Sequence, residues 1–128
     1  MDLPLIEPAD MPQPREAVRI RSARVQPYPD GWRVKLTIDV TPFQERPNLE
    51  IRVISGLNRV ISELSVIETM HAHMEFTLHI RGLTSPLGDY VAEIELFYDD
   101  RALLQGHVRL PFSIRTGQAE TADYRAEQ

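Results

Sequence analysis

With 128 residues, 42% of them hydrophobic and 26% charged, the chain has the makeup of one globular domain able to bury a core unaided. The absence of cysteine excludes a disulfide scaffold, a thiol nucleophile and a thiolate zinc site. The net charge of −5 sits in the ends, with four acids against one arginine in residues 1–17 and three against one in 116–128, so no overall basic field for nucleic acid is offered.

Residues 1–17 carry Pro4, Pro8, Pro12 and Pro14. Closely spaced prolines favour extended, unpaired backbone, and an N-terminal arm is expected. Met1 to Pro4 show neither a basic segment nor the start of a long apolar one, and no apolar run has the length of a membrane span. A cytoplasmic location without membrane contact is the expectation.

Residues 18–25 read as a short strand whose apolar phase moves from Val18 and Ile20 to Ala23 and Val25, as a bulge or a change of sheet would produce. Pro27, Pro29, Asp30 and Gly31 make a turn. Residues 32–40 then alternate strictly, with Trp32, Val34, Leu36, Ile38 and Val40 on one face. A loop spans Pro42 to Pro47, a strand 49–55, a tight turn Gly56 to Asn58, and a short strand or helix 60–67. The run 70–81 places Met70, Ala72, Met74, Phe76, Leu78 and Ile80 inward. Pro86, Gly88 and Asp89 precede the strand 90–98, Asp99 and Asp100 suit a hairpin, and 104–114 is the last strand. Residues 116–128 are polar and aperiodic and read as a frayed tail.

Seven strands with frequent turn signals predict an all-β, seven-stranded antiparallel β-sandwich over 18–115. The run Gly88-Asp89-Tyr90-Val91-Ala92 resembles the tyrosine corner of immunoglobulin-like domains, with Ala92 where an antibody domain carries its second cysteine. Trp32 on the second strand resembles fibronectin type III domains. The likeness is architectural and covers about residues 18–115. It implies that Tyr90 is buried with its hydroxyl bonded to upstream backbone, and it assigns no function, because this fold hosts many. The expected core includes Trp32, Leu36, Phe76, Ile94 and Leu110.

Catalytic signatures are missing: there is no G-x-S-x-G, G-x-G-x-x-G, P-loop or H-E-x-x-H. Glu93 and Glu95 share one face of one strand, and Asp99 and Asp100 suit a turn, so neither pair has the cleft-spanning arrangement of glycoside chemistry. No enzyme, cofactor or small-molecule substrate is expected. His71 and His73 point the same way if they share a strand, as some metal sites begin, with Glu75 and His79 further along the row. That row faces water with no pocket, and the cupin metal signature is not met, since Val91 stands where its later histidine belongs. No metal is expected; a small metal- or ligand-binding protein centred on His71 and His73 is the alternative reading.

Two faces remain. A basic row of Arg19, Arg21, Arg33, Lys35, His71, His73 and Arg81 is diluted by Asp39 and Glu75 and has no aromatic residue to stack a base, so no nucleic-acid partner is expected. The other sheet presents Glu50, Arg52, Glu93, Glu95, His107 and Arg109, able to pair across strands, beside Ile54, Val91 and Phe97. A cluster of those three apolar residues would call for cover by a protein partner, a second copy or the N-terminal arm. The expected function is a non-catalytic protein-interaction or structural module acting through a sheet face or edge strand.

Overall fold

A computed structural model of the chain describes residues 10–116 and 120–126. Among these residues the fold is all-β, with eight strands: β1 (Ile20–Pro27), β2 (Arg33–Val40), β3 (Asn48–Ser55), β4 (Val60–Val66), β5 (His73–His79), β6 (Gly88–Phe97), β7 (Gly106–Ile114) and β8 (Ala122–Arg125). They form two antiparallel four-stranded sheets, β5-β2-β1-β8 and β4-β3-β6-β7.

Alternation drives both sheets inward on one face. Leu36 and Ile38 of β2, Leu49 and Ile51 of β3, and Ile94 and Leu96 of β6 are among the largest fully buried side chains, and Leu110 is buried on β7. The phase change in residues 18–25 is a register shift between Ile20 and Ser22, which turns Ala23 and Val25 back toward the core. Residues 60–66 form a strand rather than a helix. Pro111 is tolerated because β7 is an edge strand.

Gly31 turns β1 into β2 with a φ of 73°, and a Cβ there would stand 3.1 Å from the Pro86 ring, so both backbone and space require glycine. Asn48 ties three segments: its amide donates to the Tyr98 carbonyl at 2.6 Å, and its carbonyl accepts from the Glu68 amide at 2.7 Å.

Several expectations fail. Seven strands become eight, because residues 122–125 of the expected tail pair antiparallel with β1. The segment is too short to show periodicity by itself, yet Arg24 pairs with Asp123 at 2.7 Å, and Ala122 and Tyr124 pack against the core. Residues 10–17 of the expected arm are docked: Gln13 bridges Phe43 in parallel, Gln13 N–H donates to the Pro42 carbonyl, and Arg15 pairs with Glu45 and Asp99 while lying over the Tyr98 ring. Residues 1–9 of that arm and 117–119, 127 and 128 of the tail lie outside the described residues.

Trp32 is 38% exposed rather than core, because it falls in a bend one residue before β2. Met70 is 68% exposed, since β5 begins only at His73. Phe76 is half-buried, although Met74 and Leu78 on the same strand are buried, because it lies on a groove between β5 and β4. Leu104 is exposed too: the connection after β6 runs to Gln105, whose amide donates to the Leu96 carbonyl at 2.7 Å, and Asp99 and Asp100 are the start of that loop.

Candidate functional site

Tyr90 opens the inward phase of β6. Its ring is buried and stacks on Phe112 with centroids 5.4 Å apart, and its hydroxyl donates to the Pro86 carbonyl at 2.5 Å. Burial raises its hydroxyl pKa. This residue is structural: it fastens the loop before β6 to the core.

Register brings the outward residues of β3, β6 and β7 into rows, with Arg52 opposite Glu93, Glu93 opposite Arg109, and Glu95 opposite His107. The result is one charged network. Glu93 accepts from Arg52 at 3.3 Å, from Arg109 at 2.5 Å, and shares a hydrogen bond with His107 Nε2 at 3.2 Å; Glu95 pairs with Arg52 and accepts from Arg101 at 3.4 Å. The side chain of Glu93 is only 11% exposed. Burial opposes its ionisation, but the hydrogen bonds from His107 and Arg109 and the charge of Arg52 outweigh that and hold the carboxyl below its ordinary value.

Among the described residues, Glu93, Glu95 and His107 are also the group of three potential metal ligands, with donor atoms within 4.8 Å of one another. Three arginines already occupy the two carboxylates, so the donor set suits a saturated ion-pair lattice better than a cation site. The cross-strand alternation signalled this network; Arg101, which joins from the loop, left no periodic signal.

The apolar residues Ile54, Val91 and Phe97 do not form one patch. Ile54 and Val91 are register partners, whereas Phe97 pairs with Asn48 beyond the Glu93 and Glu95 rows. All three are half-buried. The strand period put them correctly on one face but said nothing about the charged band between them.

The histidine row is divided as well. His71 precedes β5, and His73, His79 and His71 are all exposed. His73 Nδ1 lies 2.6 Å from Asp39 Oδ1; that hydrogen bond, with the charge of Asp39, raises the imidazole pKa. Neighbouring cations are matched in the same way, Arg33 by Asp30 at 3.0 Å and Lys35 by Glu75 at 3.4 Å. The outer face of this sheet is therefore mixed in charge rather than a basic row.

The two sheets differ at their flanks. On one flank β4 and β5, consecutive in sequence, are the edges of opposite sheets. Between them runs a groove of about 550 Å³ lined by Ile61, Leu64, Phe76 and Leu78, with Glu63 and Arg81 among its polar members. The other flank ends in β7 and β8. Among the described residues no helix is long and apolar enough to cross a membrane.

No protein-family model matches the chain, and no curated protein matches it. Solved structures do share its fold. A glycosyl hydrolase family 2 member from Bacteroides cellulosilyticus aligns over 77% of this chain and 15% of its own, at 15% identity and a TM-score of 0.52. The β-glucuronidase of Bifidobacterium dentium, solved with coumarin-3-O-glucuronide, aligns over 77% of this chain and 18% of its own, at 15% identity and a TM-score of 0.53. The chain thus spans less than a fifth of either neighbour, and what it shares with them is a β-sandwich.

Proposed function

We propose that the chain is an immunoglobulin-like, non-catalytic module that works through protein contacts at a sheet face or an edge strand. The observation that carries this reading is the open flank, where two edges that are unpaired among the described residues meet over the half-buried Phe76 and the groove beside it. Edge strands present unpaired backbone donors and acceptors, and a neighbouring apolar groove adds side-chain contacts. The immunoglobulin-like type is supported by the division of β1, β2 and β5 against β3, β6 and β7, equivalent to strands A, B, E against C, F, G, and by the bond from Tyr90 to Pro86. The glycosidase likeness concerns under a fifth of each enzyme's chain, which favours a supporting domain over a catalytic one.

Two measurements test the reading. The purified chain is expected to release no 4-nitrophenol from aryl glucuronides or glucosides; release that scales with chain concentration overturns it. A photo-crosslinking side chain at Thr77, on the edge, or at Glu50, on the charged face, is expected to give a discrete protein adduct in the cells that make the protein. No adduct at either position also overturns it.

A further inference from the structure

We propose that two copies of the chain pair edge to edge through β5, antiparallel, with Thr77 opposite its own copy on the two-fold axis. The proposal rests on the reading above, that an edge strand makes a protein contact, and names the strand, register and partner.

The backbone phase of β5 comes first. Ile80 N–H donates to the Trp32 carbonyl at 2.8 Å, and Val40 N–H donates to the Ala72 carbonyl at 2.9 Å. In an antiparallel ladder hydrogen-bonded pairs recur every second residue, so the even positions from 72 to 80 are turned toward β2. The N–H and C=O groups of His73, Glu75, Thr77 and His79 are then turned to the free edge, where no strand lies among the described residues. A two-fold pairing centred on an odd position brings odd residues opposite odd residues, so these outward groups meet as hydrogen-bonded pairs.

Side chains choose the centre. With Thr77 on the axis, Glu75 of each copy faces His79 of the other, twice over, and Thr77 faces Thr77; acid–base and Thr–Thr pairs are favourable cross-strand neighbours. Centring on Glu75 would set two carboxylates face to face. Centring on Phe76 would oppose His73 to His79 and leave Glu75 against Thr77. In the chosen register His73, already held by Asp39, falls opposite Arg81, which lies beyond the strand end.

The same register covers the groove. Phe76 and Leu78 point inward from β5, and each would meet the other's counterpart across the axis as a non-hydrogen-bonded pair, the closer of the two pair types. Phe76, left half-buried by the isolated chain, gains its missing contacts there. A two-fold interface of this kind is closed, so pairing stops at two.

The natural chain has no cysteine, which makes single-cysteine variants unambiguous. Sedimentation of the unmodified chain is expected to show a concentration-dependent dimer. Under mild oxidation T77C is expected to form a covalent dimer, because hydrogen-bonded partners lie about 5.5 Å apart, within disulfide reach. E75C is expected not to, since its copy is four positions away along the strand, roughly 13 Å. H79E opposes two carboxylates at each end and is expected to weaken the dimer about tenfold or more, and the exchange E75H/H79E to restore it. All these side chains are exposed, so the fold should survive, which circular dichroism checks. A chain that stays monomeric at every concentration, a dimer indifferent to H79E, or failure of T77C to crosslink overturns the proposal. A monomer that still gives an adduct to a different protein at Thr77 overturns self-pairing while leaving the module reading intact.

Discussion

The Tyr90 hydroxyl donates to the carbonyl of Pro86, four residues upstream, across 2.5 Å. The same proline ring is what a side chain at Gly31 would strike, so one residue braces both the turn before β2 and the start of β6. Removing only the hydroxyl, Tyr90→Phe, keeps the stack on Phe112 and deletes the bond. The expected cost is about 0.5–1.5 kcal/mol, read from urea unfolding with an unchanged slope. A variant as stable as the parent would mean that water replaces the hydroxyl without loss.

Burial separates three residues that share an inward phase. Leu36 is completely buried, Phe76 is half-buried at a sheet edge, and Trp32 stands in a bend. Leu36→Ala should cost about 2–5 kcal/mol. At dilutions where the chain is monomeric, Phe76→Ala should fall below the roughly 3–5 kcal/mol of a fully buried phenylalanine, and Trp32→Ala should cost less still. Thermal unfolding of the three variants under one condition checks the order; a reversal of Leu36 and Trp32 contradicts the burial.

Those residues also show what the sequence made legible. Period two is a local signal, and in β2, β3, β6 and β7 it places the core side chains correctly because these strands are covered along much of their length. It cannot tell where a strand ends, so the alternation puts Trp32 and Met70 inward although both lie outside their strands. It also cannot tell that Phe76 lies on the groove between β4 and β5, half-buried there while Met74 and Leu78 of the same strand are buried. The charged network was legible as alternating outward residues, whereas the flank formed by β4 and β5 depends on sheet order. The pairing of β8 was hidden because four residues are too few for a periodic signal.

The carboxyl of Glu93 is held below its ordinary value of 4.5 in the folded chain. Folding therefore favours the ionised form. The stabilisation is fully present above about pH 4.5 and is lost as the pH falls through the folded value. Glu93→Gln keeps the shape and removes the charge, leaving Arg52 and Arg109 short of an acceptor, at an expected cost of about 1–3 kcal/mol at pH 7. The gap in melting temperature between parent and variant should narrow as the pH is lowered toward 3. A gap that stays constant over that range would mean that the charge of Glu93 contributes nothing.

The pairing of β1 with both neighbours gives a residue-level test of the eighth strand. Tyr28 N–H donates to the Arg33 carbonyl at 2.9 Å, and Ala126 N–H donates to the Arg21 carbonyl at 2.8 Å. Together with the registers Arg24 to Thr37 and Ala23 to Tyr124, these bonds fix opposite phases on the two sides of β1. The amides of Arg24 and Gln26 belong to the ladder with β2, and those of Ala23 and Val25 to the ladder with β8. Ending the chain at Thr116 removes β8 and, with it, the Arg24–Asp123 ion pair and the packing of Tyr124. Hydrogen exchange followed by NMR should then show Ala23 and Val25 exchanging faster while Arg24 and Gln26 stay protected. Uniform loss of protection along β1 would mean that β8 is needed for the whole sheet, and unchanged protection at Ala23 and Val25 would mean that it does not pair there in solution.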